Sequence, residues 1–366
     1  MDVGIQMVFS SHGCGDMRDS QVVDEELRLA RLADELGFDV VWSVEHHFFD
    51  YSFCPDNTQL LSYMTAVLKR AEVGTAAIIL PWNDPLRVAE KVALLDHLAG
   101  GRLRLGLGRG LSRREFAAFR GIGMDESRER FDEASAMIMA ALRNGFIEGD
   151  GKFYPQPRIA IRPRPERPFD DRLYAVASSD DSIESAARLK ARMVMFADRS
   201  WEHRLPSVEK HRARYKELHG AAPPPPMTCD FCLVAPSADE AKELATLHMG
   251  TYLDSVLEHY EVTGSHFAKT KGYAAYAQAA EVLRRIGESG FLKGFMQATA
   301  WGTPDGVLRT LEARRQLLGP FELATSFRFG GIPYEAAERS LRLFAKEVLP
   351  VLKGWDAAHD RPRAVA

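Results

Sequence analysis

Two adjacent imidazoles, His46 and His47, stand in the run Glu45-His46-His47-Phe48, with Trp42 and Phe49 close by. An imidazole titrates near neutrality and can take, hold or give a proton, so a histidine in such an apolar setting is a candidate acid or base. Neighbours on extended backbone point to opposite sides, and at most one of the pair can face a common pocket. Adjacent histidines rarely ligate one ion, and neither HxxxH spacing nor a matched carboxylate accompanies these, so no metal is expected. A second candidate is Arg109 in Gly106-Leu107-Gly108-Arg109-Gly110, a permanent cation on a glycine turn that lets backbone approach an anion. This turn lacks the third glycine of a dinucleotide fingerprint, and no acid ends a second strand about 20 residues later, so a dinucleotide fold is not expected. A third is Ser178-Ser179-Asp180-Asp181-Ser182, hydroxyls and free amides at a helix start that suit a phosphate. Plain helix capping explains the same letters, and two aspartates there repel an anion unless they point away. Cys229 and Cys232 fall within one apolar strand with no second pair for zinc, and read as core thiols.

All of these candidates except the cysteines follow a β-rich run directly. Such runs occupy residues 3–9, 38–44, 73–80, 102–108, 173–177, 192–196, 228–235 and 321–329, and helical periodicity follows each of them. The helix at 85–99 is well punctuated, with Asp84 to cap it, Pro85 in its first turn and Gly100-Gly101 to end it. Eight alternating strand and helix units with strands apolar throughout predict an α/β fold with a parallel sheet closed as a (β/α)8 TIM barrel. In that barrel chemistry sits where strands end, which is where the candidates stand. The proline-rich stretch 154–168 resembles a domain boundary, but the alternation resumes at once, so it reads as a surface excursion within one domain spanning 1–366. The period fails at 263–301, after the seventh strand and its helix. That insertion is too long for a plain connection and mixes aromatic residues with glycines, so an active-site lid is expected.

Composition narrows the function classes. The 366 residues carry 47 Lys+Arg against 51 Asp+Glu, a net charge of −4, which gives no general attraction for nucleic acid. Four cysteines are too few for a disulfide framework at this length. No stretch approaches the ~20 apolar residues of a membrane span, and the start lacks a basic leader region, so a cytoplasmic protein is expected.

Several segments agree in order and spacing with one known family: Glu45-His46-His47-Phe48, Val73-Gly74-Thr75-Ala76-Ala77 through Leu80-Pro81, Pro85 to Leu95, Gly101-Arg102-Leu103-Arg104 through Gly108-Arg109-Gly110-Leu111, and Val176-Ala177-Ser178-Ser179. From about residue 3 to 350 the chain resembles the bacterial luciferase-like, flavin-dependent monooxygenases, closest to the luciferase alpha subunit. The resemblance implies a TIM-barrel enzyme that binds reduced FMN, reacts it with O2 to a flavin C4a-peroxide and oxygenates a largely apolar aldehyde, ketone or related metabolite. It implies a two-component system, with a separate NAD(P)H:flavin reductase supplying FMNH2, and a homodimer paired through the helices at 58–69 and 85–99. It makes His46 the catalytic histidine, Ala76-Ala77 a non-proline cis peptide against the flavin ring, and Arg109, Leu111, Ser178, Ser179 and Ser182 the phosphate site. Gly108 stands where the luciferase alpha subunit has a reactive cysteine, and Ser178 where it has a glutamate, so light emission is not implied. Two alternatives share the fold: a deazaflavin (F420)-dependent oxidoreductase, and a non-catalytic flavin-binding relative, against which intact His46 and the long insertion argue.

Overall fold

Eight short strands, aliphatic and buried along almost their whole length, form the centre: β1 (Val3–Met7), β2 (Val40–Ser43), β3 (Glu72–Thr75), β4 (Leu103–Gly108), β5 (Leu173–Val176), β6 (Arg192–Phe196), β7 (Met227–Phe231) and β8 (Glu322–Ser326). Each pairs in parallel with the next in chain order, and β8 returns to β1 with Val3 opposite Leu323, so the ring closes as the expected (β/α)8 barrel. In this computed structural model residues 1–13, 16–119 and 121–355 are described; residues 14, 15, 120 and 356–366 of the expected domain lie outside them. The third sequence run, 73–80, is not one strand. It breaks after Thr75 at a cis bond between Ala76 and Ala77 and resumes at Ile78–Ile79 beside the end of β4.

The barrel interior is filled by Trp42 and Tyr174, whose rings meet edge to face at 5.0 Å. Space for Trp42 comes from glycines on the adjoining strands: a Cβ on Gly4 would lie 2.7 Å from the indole, and one on Gly74 only 2.2 Å. Near the strand starts, Arg104 meets Glu72, Asp2, Glu322 and the Tyr174 hydroxyl, so the buried cation is paired from several sides. This charged layer plugs the N-terminal end and leaves the C-terminal end for a site.

Around the ring lie α1 (Asp19–Leu36), α2 (Asn57–Val67), α3 (Pro85–Leu98), α4 (Arg113–Ala118), α5 (Ser127–Asn144), α6 (Asp180–Arg188) and α7 (Trp201–His219). The chain then continues through α8 (Ala238–His259), α9 (His266–Lys269), α10 (Ala274–Ala298), α11 (Pro304–Leu318) and α12 (Tyr334–Leu343). The expected punctuation of α3 is present: the Asp84 side chain accepts from the Arg87 N–H, and Gly100 and Gly101 turn the chain at positive φ. The proline-rich stretch supplies the strand Gln156–Ala160, which forms an antiparallel hairpin with Phe146–Gly149 just before it.

The excursion after β7 is wider than sequence periodicity indicates. Leu233–Val234 pairs in parallel with Trp301–Gly302, and everything between them, α8 included, leaves the regular barrel layer. Helix α11, packed on α7, takes the regular place before β8, while α10 folds back on α8. Periodicity identifies α8 as a helix but says nothing of which surface its apolar residues meet. Among the described residues, no helix is long and apolar enough to cross a membrane.

Candidate active site

The histidine pair divides as alternation requires. His46 follows β2 at the barrel mouth with its side chain one-fifth exposed, while His47 is buried on the other side. His47 sits 3.4 Å from Glu45, whose carboxylate also accepts from the Ile79 N–H at 3.0 Å, the Trp82 indole at 2.7 Å and the Asn83 amide at 3.0 Å. That is a structural network tying the end of β2 to the turn after β3.

His46 has a partner that the sequence did not reveal. Its Nδ1 lies 3.0 Å from Oε1 of Glu115, and the same oxygen accepts the His47 N–H at 2.8 Å. Glu115 belongs to α4, held there by the Ser112 cap. Burial pushes its carboxyl upward, but His46, His259 and the His47 amide outweigh that and hold it below the usual carboxylate range. With Glu115 ionised, His46 Nδ1 carries the hydrogen, leaving Nε2 as the ring atom free to exchange a proton. His259, the last residue of α8, brings Nε2 to 3.9 Å from Glu115 Oε1. Burial, reinforced by the neighbouring His46, pushes its pKa down to about 3. Ligand atoms of His46, Glu115 and His259 lie within 4.8 Å of one another, close enough together to hold a divalent ion.

Ala76 and Ala77 follow β3 at the same end of the barrel. The Ala76 N–H donates to the Ser43 carbonyl at 2.7 Å, and the buried Asn57 amide donates to the Ala77 carbonyl at 3.1 Å, fixing the cis turn from both sides. Gly108 keeps this wall low, since an added Cβ would stand 2.8 Å from Ile79 Cδ1 and 3.2 Å from the Ala77 methyl. A side chain there requires Ile79 to move.

At the ends of β4 and β5 the structure brings together Arg109 and the start of α6. Ser179 and Ser182 form a capping box, with the Ser182 hydroxyl accepting from the Ser178 N–H at 2.9 Å and the Ser179 N–H at 2.8 Å. The capping role of these serines is therefore real. Asp180 turns outward to Lys210 at 2.9 Å, whereas Asp181 stays near Arg109. Leu111 lies half-buried in the loop between Gly110 and Ser112. Arg109 lays its guanidinium 4.0 Å over the Tyr273 ring and donates through Nη2 to the Gly272 carbonyl at 3.1 Å, while its buried Nη1 has no hydrogen-bond partner. Arg128, in the first turn of α5, is a second cation that the sequence pattern does not single out. It donates to the Ser185 hydroxyl at 3.0 Å, and its buried Nε has no partner. Burial and the nearby Arg109 charge lower its pKa. Two half-buried cations, Arg109 with an unused Nη1 and Arg128, paired with Asp132 at 3.5 Å but with an unused Nε, make a cradle suited to an anion.

The excursion closes on this cradle. Tyr273 donates to the Gly110 carbonyl at 3.1 Å and meets the Ser127 hydroxyl at 2.9 Å, Lys271 N–H donates to Asp125 at 3.0 Å, and Arg113 pairs with Glu261 at 2.9 Å.

Comparison with known proteins adds relatives to this geometry. The family model described as "Luciferase-like monooxygenase" matches residues 1–319. The alkanal monooxygenase alpha chain of Photorhabdus laumondii is 26% identical over 348 residues, covering 91% of this chain and 93% of the relative. The crystal structure of monooxygenase RslO1 from Streptomyces bottropensis superposes with a TM-score of 0.80 at 27% identity, covering 96% of this chain and 100% of that one. The oxygenating constituent of 3,6-diketocamphane monooxygenase from Pseudomonas putida, solved with FMN, shares the fold at a TM-score of 0.71 and 18% identity, over 96% and 98% of the two chains.

Proposed function

The chain belongs to the luciferase-like monooxygenase family, and on that premise we propose that it is an FMNH2-dependent, two-component monooxygenase acting on an organic substrate at the barrel mouth. One observation carries the cofactor assignment: Arg109 Nη1 and Arg128 Nε are buried and unpartnered beside the start of α6. A phosphate dianion satisfies both beside the capped start of α6. The residues present therefore fit FMN, and a barrel of the same fold holds FMN. Bound reduced FMN supplies the electrons that activate O2, of which one oxygen atom enters the substrate and the other leaves as water.

The protein's own part is binding and proton control. Arg109 and Arg128 hold the phosphate, with Ser178, Ser179, Ser182 and Leu111 shaping the loops around it. Ala76, Ala77 and Gly108 give a low wall suited to a flat ring system. His46 exchanges a proton at Nε2, and Glu115 fixes its tautomer. The excursion from α8 to α10 acts as a lid that excludes water, reaching the cradle through Tyr273. The described residues form one barrel and its excursion, with no dinucleotide-binding unit among them, and a separate NAD(P)H:flavin reductase supplies FMNH2. A homodimer forms through α2 and α3, whose Tyr63, Leu94 and Leu98 are about half exposed.

Anaerobic titration tests the reading. FMNH2 should quench tryptophan fluorescence with a saturable, phosphate-dependent affinity well above that for riboflavin, and aerobic turnover with added FMNH2 should insert a single oxygen atom into an accepted substrate. Tight binding of reduced F420 in place of FMNH2 would replace the monooxygenase reading with a deazaflavin oxidoreductase. Efficient NADH oxidation by the pure chain with FMN would remove the separate reductase.

A further inference from the structure

The aromatic wall beside His46 bears on the substrate itself. Building on the flavin monooxygenase reading, we propose that the substrate is a planar aromatic molecule bearing a hydroxyl or carbonyl group, rather than a straight-chain aldehyde.

The wall comes from the loop after β2 and the end of α8. Tyr51 stacks on His259 at 4.4 Å with planes 13° apart, and His46 stands edge-on to Tyr51 at 5.0 Å. Behind them Tyr252 packs 4.0 Å from Phe231 and 5.9 Å from Phe295. Flat rings at this spacing receive another flat ring in stacked or edge-on contact. An alkyl chain gains nothing specific from them.

The polar atoms set a second condition. Tyr260 donates to the Tyr51 hydroxyl at 3.4 Å, and the Tyr51 and Tyr252 hydroxyls are 3.1 Å apart. Three phenolic hydrogens thus serve two bonds, and one is left to donate elsewhere. Burial raises the pKa of all three phenols, so they remain protonated donors. His259 is 2% exposed, and neither of its ring nitrogens has a hydrogen-bond partner. A neutral imidazole offers one donor and one acceptor, and leaving both unused in a buried site is costly. Phenylalanines would pack this wall without that cost. A phenolic or ketonic ring beside His46 satisfies both conditions: its face meets the stacked rings, a hydroxyl donates to His259, and a carbonyl accepts the spare phenolic hydrogen. An alkanal offers one acceptor, no donor and no face.

Calorimetric titration of the full chain, with and without oxidised FMN, separates the possibilities using 2-naphthol, naphthalene and decanal as probes. 2-Naphthol should bind at least about tenfold more tightly than either of the others. His259→Phe, which keeps a flat ring but removes the acceptor, and His259→Leu should each weaken 2-naphthol by about fivefold, the worth of one neutral hydrogen bond, while His259→Phe leaves naphthalene unchanged. Decanal binding as tightly as 2-naphthol, or unchanged 2-naphthol affinity in both variants, would overturn the assignment. FMN fluorescence quenching in the same samples keeps the two readings apart: loss of FMN binding with the naphthol preference intact counts against the flavin reading alone, and retained FMN binding without the preference counts against the aromatic substrate alone.

Discussion

Replacing Glu115 by Gln isolates one charge at the centre of the proposed chemistry. Both of its closest contacts, His46 Nδ1 at 3.0 Å and the His47 N–H at 2.8 Å, go to the single oxygen Oε1. A glutamine amide oxygen in that place keeps both bonds and loses only the negative charge. A hydrogen bond to an ionised group contributes about 1.5 to 3 kcal/mol, against about 1 kcal/mol for a neutral one. The difference, roughly 0.5 to 2 kcal/mol, is lost from the His46–Glu115 hydrogen bond, which corresponds to about 2-fold to 30-fold in the proton-dependent step. With reduced FMN and O2, Glu115→Gln should therefore yield less product per O2 and more free hydrogen peroxide, with FMN affinity unchanged because the phosphate cradle is remote. The stability effect has a defined sign. The folded carboxyl titrates below its unfolded value, so its contribution is fully present above that unfolded value and is lost as pH falls through the folded pKa. Acid denaturation curves of wild type and variant should differ above that window and converge below it. Unchanged product yield together with an unchanged pH profile would show that Glu115 is a packing residue and that the proton relay is misassigned.

The cradle predicts paired losses: Arg109→Ala and Arg128→Ala should each weaken FMN about tenfold or more while riboflavin affinity stays constant, whereas Ser179→Ala, which mainly loses a cap, should cost less in affinity and about 1 kcal/mol in stability. Equal FMN affinity in wild type and Arg128→Ala, measured by fluorescence titration, would remove that residue from the site. Although His46, Glu115 and His259 could hold an ion, dialysis against EDTA should leave turnover intact; loss restored by a divalent metal would make the cluster a metal centre. His259 titrates at about 3 when folded and near 6.5 when unfolded, so it opposes folding as pH drops through that interval. His259→Gln should narrow the gap between neutral and pH 5 melting points, by up to ~2 kcal/mol at pH 5. Limited proteolysis within 263–301 should be suppressed by FMN plus a bound aromatic ligand if the excursion is a lid, and indifferent to both if it packs statically.

What could be read from the sequence depended on whether a signal was local. The eight strands are local signals, since a strand buried on both faces must be apolar along its length, and Gly100-Gly101 or Asp84-Pro85 punctuate a helix without reference to anything distant. His46 was legible because it directly follows such a strand in an apolar run, and Arg109 because a glycine turn exposes it. Ser178, Ser179 and Ser182 were legible only as an ambiguity, and in the structure they do cap α6, so any phosphate contact they make shares its atoms with that capping role. Glu115, Arg128 and His259 were not legible, because each lies in a polar helical stretch whose letters suit a solvated face equally well. Glu115 reaches His46 across 69 residues and His259 reaches the same carboxylate across 144 more, separations that no spacing rule encodes. The same limit hides how α8 is joined to the excursion. Helix α8 is periodic and follows β7, as a regular barrel helix should, and only the pairing of Leu233–Val234 with Trp301–Gly302 shows that it belongs with α9 and α10. That pairing sets both ends of the segment that carries His259 and Tyr273. The parts of the site that barrel geometry alone could not predict, the second histidine and the tyrosine over Arg109, are therefore carried by one excursion, and substrate selection and access to the cradle can change together when it does.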